Sequence, residues 1–199
     1  MVSITRSLRR SVSLALLVLW SACASLYASL ALAGGIEPVR AQLAPADDGY
    51  TLSVEFAIDL GARFEEALTN GVALNFKLEF TLARKRWYWI DEHIAGHVVD
   101  YRLSYNTLTR QYRLSVGGLH RNFATLEEAM RVLGRVADLL VVDKSAVKAG
   151  ETYLAATRLS LDKGQLPKPL QLDAFASKDW QVDAKVLRWQ FAPGGATQP

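Results

Sequence analysis

The sequence predicts a mainly β protein, an antiparallel β-sandwich of about seven strands with one packed amphipathic helix and one short helix. Two long stretches, Tyr50–Leu60 and Val72–Leu82, alternate apolar with polar residues, and this alternation is typical of strands with one buried face. Only one stretch has a substantial helical period, and strands and helices do not alternate regularly along the chain. The pattern therefore favours a sandwich, immunoglobulin-like or similar, over a doubly wound fold.

Five further strands are predicted from shorter patterns, over residues 39–43, 99–105, 112–116, 153–161 and 184–191. Turn residues connect two pairs of these strands. Asp47-Asp48-Gly49 tolerates the backbone angles of a tight turn, so the first two strands are expected to form a hairpin. The four residues Asn106–Thr109 have hairpin-loop length and predict a second hairpin.

Two helices are predicted. The short one spans Ala62–Asn70 and is closed by Gly71, a favoured residue beyond a helix C-terminus. The longer one begins after Thr125, which has capping-box spacing to Glu128. Its apolar residues recur at helical spacing and are Leu126, Ala129, Met130, Leu133, Val136, Ala137 and Leu140. We expect this apolar stripe to cover one face or edge of a sheet.

Residues 1–33 have the features of an export segment. Arg6, Arg9 and Arg10 precede the uncharged, mostly apolar run Val12–Leu32, and Ala31-Leu32-Ala33 provides a small-x-small cleavage site. The run also has the roughly 20 residues that cross a bilayer, so an uncleaved anchor is the alternative. The predicted location is the periplasm, reached by the general secretory route. In the alternative, the chain is anchored in the inner membrane and faces the periplasm.

Charge and cysteine content exclude several functions once the export segment is set aside. The segment holds three of the 23 Lys and Arg and none of the 20 Asp and Glu, so 20 of each sign remain. A neutral domain lacks the basic surface that attracts nucleic acid. The single cysteine, Cys23, lies within the segment, which leaves no thiol for a disulfide or thiolate site. We expect one β-rich domain over 34–192 and a disordered tail over 193–199.

No catalytic or metal-binding pattern stands out, so we expect no enzymatic activity, metal or cofactor. Adjacent carboxylates occur at Asp47-Asp48, Glu65-Glu66, Asp91-Glu92 and Glu127-Glu128. Neighbouring residues point apart on helices and strands, so none of these pairs is by itself a facing acid and base. His93 and His97 have the spacing of two ligands on a helix, but Gly96 weakens a helix there and favours a loop. His120 has no evident serine partner.

The most distinctive local feature is a basic-aromatic cluster, which consists of Arg84, Lys85, Arg86, Trp87, Tyr88 and Trp89. The favoured interpretation is structural: the tryptophans continue a buried strand face, and the cations cover it with their aliphatic stems. Trp180 and Trp189 are likewise expected in the core. The alternative is a ligand site, because aromatic rings beside cations can stack on sugars or lie at a membrane interface.

The chain resembles a family of exported proteobacterial proteins known as the domain of unknown function 4390. The resemblance is carried by residues 101–114, 86–91, 123–129, 158–162 and 166–170. It covers nearly all of the chain after the export segment. It implies a type of protein often described as a proline-rich signal-peptide protein, although this chain has only six prolines. It also implies a gene that neighbours a membrane sensor kinase, and it brings no catalytic residues.

Three hypotheses for function follow. The leading one is a non-enzymatic envelope module that binds a protein partner or small ligand, linked to a sensor kinase through the resemblance. The alternative is a lipid- or glycan-binding domain that uses the basic-aromatic cluster. A third is a hydrolase built around the three histidines, His93, His97 and His120.

Overall fold

The computed structural model describes residues 35–84, 91–168, 170–171 and 182–194. The chain divides into two units, Met1–Ala33 and Gly34–Pro199, and the fold described is that of the second unit. Several predictions fall on residues outside the described ones: the export segment, Lys85–Trp89, Trp180 and most of the tail.

The described strands are β1 (Gly35–Pro45), β2 (Gly49–Asp59), β3 (Leu74–Arg84), β4 (Glu92–Asn106), β5 (Gln111–Val116), β6 (Leu119–Phe123), β7 (Arg135–Asp143), β8 (Tyr153–Leu161), β9 (Asp183–Ala184) and β10 (Leu187–Phe191). The described helices are α1 (Ala62–Thr69) and α2 (Leu126–Leu133), with 3-10 turns at Lys144–Ala146 and Lys163–Gln165. Neither α-helix is long and apolar enough to cross a membrane.

The described strands form two sheets, one in the order β7-β2-β1-β9 and one in the order β10-β8-β3-β4-β5-β6. Every strand pair is antiparallel except β1 with β9, which is a short parallel pair. The apolar faces of both sheets contribute to one hydrophobic core. The predicted mainly β, sandwich-like architecture is therefore confirmed.

The core is built by the two long alternations in the sequence. On β3 the buried side chains are Leu74, Phe76, Leu78, Phe80 and Leu82, each at most 1% exposed. On β2 they include Leu52, Val54 and Phe56. Tyr50 of one sheet meets Phe191 of the other edge to face, with ring centroids 4.9 Å apart. Burying each such side chain stabilises the fold by about 1.5–3 kcal/mol, so these two strands contribute strongly to its stability.

Both predicted hairpins are present. β1 and β2 pair along their length, and the Ala46 N–H donates to the Gly49 carbonyl at 2.8 Å across the turn. In the β4–β5 hairpin, the Asn106 side chain accepts hydrogen bonds from the N–H groups of Leu108 and Thr109. The expected short helix is also confirmed, and Gly71 follows it with a φ of 89°, a backbone conformation that favours glycine.

The predicted long helix is correct only in its first half. Thr125 caps it as expected, because its side chain accepts a hydrogen bond from the Glu128 N–H at 3.2 Å. The helix then ends at Leu133, and the chain continues as β7 rather than as helix to Leu140. At the end of the helix, the Gly134 carbonyl accepts a hydrogen bond from the Phe56 N–H at 2.8 Å, which joins the chain to β2.

A bulge explains why β7 resembles a helix in the sequence. Val136 pairs with Val54 and Leu139 with Leu52, so the register shifts by one residue between them. Asp138 takes up this extra residue with a φ of 54°, and its N–H donates to Ser53 Oγ at 3.3 Å. Val136 and Leu139 therefore lie beside the same face of β2 although they are three residues apart. Because three residues is also the spacing along one face of a helix, the sequence pattern indicates a helix here.

Candidate functional site

Arg84 is the one member of the basic-aromatic cluster that lies within the described residues, and two carboxylates hold its side chain. It is the last residue of β3. Its Nη1 donates to both oxygens of Glu151 at 3.0 and 2.8 Å, and its Nε donates to Glu92 at 2.9 Å. The Arg84 charge is therefore matched locally by two carboxylates.

Tyr153 extends these contacts into what we call the Arg84 network: Arg84, Glu92, Glu151 and Tyr153. The Tyr153 hydroxyl donates to Glu151 at 2.9 Å and accepts from the Lys148 N–H at 2.8 Å. Hydrogen bonds from Arg84, and to a lesser extent from Tyr153, lower the pKa of Glu151. Hydrogen bonds to Glu92 and Glu151 raise the pKa of Arg84. Burial raises the pKa of Tyr153. The network joins the ends of β3, β4 and β8, which is a structural role.

The lowered pKa of Glu151 makes the network sensitive to acid. Because the fold favours the carboxylate, Glu151 contributes stability above the ordinary glutamate pKa and loses it as the pH falls through the lowered one. We expect Glu151→Gln to reduce the urea midpoint at neutral pH, with the difference from wild type shrinking from about pH 5 to pH 3. In an Arg84→Met background the same substitution should depend much less on pH. An equal difference at every pH would contradict this assignment.

The three histidines do not converge. His93 and His97 lie in β4 rather than in the loop that Gly96 led us to expect. A Cβ placed on Gly96 would lie 3.0 Å from His93 Nε2, so His93 shares the Gly96 side of the strand and the adjacent His97 faces the other side. His120 lies on β6, where it pairs with Ser115 of β5. Across the described ranges, no group of three or more His, Cys, Asp or Glu could hold a metal.

A groove of about 520 Å³ lies between the two helices, and we call it the α1–α2 groove. Its larger apolar side chains are buried or half-buried and are Ile58, Leu60, Tyr112, Leu126 and Met130. Its exposed acidic side chains are Asp59, Glu65, Glu66 and Glu127. The groove therefore combines an apolar floor with an acidic rim.

The end of β2 and the helix α1 form one wall of this groove. The Asp59 carboxylate accepts a hydrogen bond from the Gly61 N–H at 3.0 Å, which turns the chain from β2 into α1. The helix buries Phe64, Ala67 and Leu68 against the core. Residues on the opposite face, Glu65 and Glu66, are therefore left to line the groove.

The helix α2 and the strand β5 form the remainder of the groove. Ala129 and Leu133 are the buried residues of α2 and anchor it in the core. The half-buried Leu126 and Met130 and the exposed Glu127 line the groove from this helix. The Tyr112 ring of β5 lies 4.8 Å, centroid to centroid, from the ring of Tyr105 on β4.

The groove has a negative electrostatic character. Among the described residues, its lining contains four carboxylates and no Lys or Arg. Glu66 lies 3.7 Å from Arg63, and Glu127 lies 3.0 Å from Arg131, so two carboxylates are partly neutralised at the rim. Burial raises the pKa of Tyr112, and the neighbouring Tyr105 and Glu65 raise it further.

The sequence draws attention to three of the four groove carboxylates but does not predict the groove. Glu65-Glu66 and Glu127-Glu128 were recognised as adjacent pairs, and neither is by itself a facing pair. The structure brings Glu65, Glu66 and Glu127 to one concavity. Their two helices are far apart in the chain and come together only through the order of the strands. Acidic residues on the exposed faces of two short helices are the available sequence signal.

The chain is similar to one known family. The model of a domain of unknown function, DUF4390, matches residues 33–190. This match confirms the resemblance that the sequence motifs indicate. No curated protein and no solved structure matches the chain.

Proposed function

The chain belongs to the DUF4390 family, a domain of unknown function, and we propose that it is an exported, non-enzymatic binding or adaptor module of the cell envelope. The observation that carries this proposal is the α1–α2 groove. A concave surface with an apolar floor and a few polar groups is the usual form of a binding site. Its carboxylates stand at an open rim and are suited to recognition rather than to acid–base chemistry.

The proposed cellular setting comes from the sequence. Residues 1–33 support export by the general secretory route, either with cleavage after Ala33 or with retention as an inner-membrane anchor. In both cases the domain acts on the periplasmic side of the inner membrane. The family resemblance supports a sensor kinase as the protein that the module serves.

Site-directed crosslinking in cells tests the proposal. A photoreactive residue at Thr69, which lines the groove, should yield a discrete crosslinked product that fractionates with the envelope. The matched control is the same residue at Thr81, an exposed position on β3 outside the groove lining. Absence of a product from Thr69, or the same product from both positions, would count against a recognition role for the groove.

The lipid- or glycan-binding alternative rests on the basic-aromatic cluster. The carboxylates of Glu92 and Glu151 engage Arg84, so this cation is not available to recognise a ligand charge unless the Arg84 network opens. The decisive variants are Trp87→Ala and Trp89→Ala. If both leave liposome and glycan binding unchanged, the alternative fails.

A further inference from the structure

We propose that the α1–α2 groove binds a basic, partly apolar peptide segment of a partner protein. This inference rests on the proposed binding function and specifies the chemistry of the occupant. The groove is lined by residues of β2, α1, β5 and α2, so its shape is set by elements that the core holds in place.

The floor of the groove accounts for the apolar part of the segment. Ile58 and Leu60 lie at the end of β2, and Leu126 and Met130 lie one helical turn apart on α2. A methionine side chain adapts to apolar groups of different shape, which suits peptide recognition. A peptide with apolar side chains on one face would bury them between α1 and α2, as amphipathic segments do in hydrophobic grooves.

The rim accounts for the basic part of the segment. Glu66 and Glu127 already have arginine neighbours, whereas within the described residues Asp59 and Glu65 have no salt bridge to a lysine or arginine. The local charge is therefore negative although the domain as a whole is neutral. A Lys or Arg side chain would be attracted to this rim, whereas an acidic peptide or anionic lipid headgroup would be repelled.

A second concavity has a different balance of charge. It is a space of about 200 Å³ beside β1, β2 and β7, and its lining includes Arg40, Glu55 and Arg135. Arg135 pairs with Glu55 at 3.2 Å, so positive charge is not deficient there. Of these two concavities, the α1–α2 groove is the one whose charge is complementary to a basic segment.

Fluorescence anisotropy with the full chain tests the inference. The probe is a labelled amphipathic Lys/Leu peptide, compared with a Glu/Leu peptide of the same pattern and a Lys/Ser peptide that lacks apolar side chains. We expect the Lys/Leu peptide to bind most tightly and its Kd to rise with salt, because exposed charges are screened. Spermidine, a cation without an apolar face, should compete poorly.

Charge-matched variants locate the site. We expect Glu65→Gln/Glu66→Gln to weaken Lys/Leu binding about ten-fold, since each lost carboxylate removes a modest surface attraction. The control Glu37→Gln/Asp47→Asn removes the same charge from exposed positions on β1 and in the following turn, and should leave binding unchanged. Both variants should unfold at the wild-type temperature.

Several outcomes would overturn the inference: no Lys/Leu binding, equal binding of the Glu/Leu or Lys/Ser peptide, effective competition by spermidine, or equal loss in both variants. A crosslinked partner at Thr69 without Lys/Leu binding would leave the groove as a binding site and reject only the basic occupant. Failure of the crosslinking experiment would instead reject the proposed function.

Discussion

Replacing Gly49 with alanine should destabilise the domain by about 2–4 kcal/mol, because the new methyl group has no space. Gly49 is the first residue of β2 and pairs with Asp143 of β7. A Cβ at this position would lie 2.0 Å from the Val142 carbonyl oxygen, and this neighbour is backbone rather than a movable side chain. The first turn of the opening hairpin or the end of β7 must therefore shift. The denaturant midpoint of the purified variant measures the loss.

Gly118→Ala is the matched control for Gly49→Ala. No atom lies within 4 Å of a Cβ built on Gly118, so this substitution should change stability by no more than about 0.5 kcal/mol. If the two alanine variants unfold at the same denaturant concentration, the close approach of β2 and β7 at Gly49 is not a constraint on the fold.

Phe64→Ala should lower the free energy of unfolding by about 3–5 kcal/mol and should also loosen α1, which forms one wall of the α1–α2 groove. Phe64 is completely buried and, with Leu68, anchors α1 in the core. Its removal leaves a cavity beneath a helix of only eight residues, which is too short to persist without tertiary packing. Hydrogen exchange should therefore become faster in α1 than in β3, and the midpoint of urea unfolding should fall.

Arg63→Ala separates loss of packing from loss of charge on the same helix. Arg63 is exposed, and its salt bridge within the described residues is to Glu66 at the rim, 3.7 Å away, so the alanine variant should remain as stable as wild type. Lys/Leu peptide binding should be retained or slightly strengthened, because a competing cation is removed from the rim. A stability loss similar to that of Phe64→Ala would show that α1 is not held mainly by its buried face.

The long alternating stretches made the centre of the fold predictable. Each of β2 and β3 buries every second residue over most of its length, and this periodicity is visible in the sequence without knowledge of neighbouring strands. The two hairpins were predictable for the same local reason, since their turn residues adjoin the strands that they connect. Trp189 was also expected in the core, where its ring packs near Phe80.

The structure adds three strands to the seven expected, and each has a physical reason for being missed. β7 contains the bulge at Asp138, which replaces strand alternation with a three-residue spacing. β6 is an edge strand with four exposed residues, so burial does not impose an apolar pattern on it. β9 has two residues and is defined only by its pairing with β1.

The candidate site was less predictable than the fold because it depends on tertiary contacts. The sequence places Glu65 and Glu127 on two separate helices, and either could have been a solvated surface residue. The role of Arg84 was difficult to predict because its partners come from other parts of the chain. Its neighbours in the chain favour a structural role and leave a ligand-binding cluster as the alternative, whereas its partners in space, Glu92 and Glu151, come from β4 and from the segment before β8.

The parallel pairing of β1 with β9 affects the timing of folding. β1 starts at Gly35 and β9 ends at Ala184, and the Lys185 N–H donates to the Ile36 carbonyl at 3.1 Å. The four-stranded sheet therefore cannot be completed until Ala184 has been synthesised, and contacts of such long sequence separation form slowly. The β1–β2 hairpin can form as soon as both strands exist, whereas the other edge of β1 stays unpaired until β9 has been made.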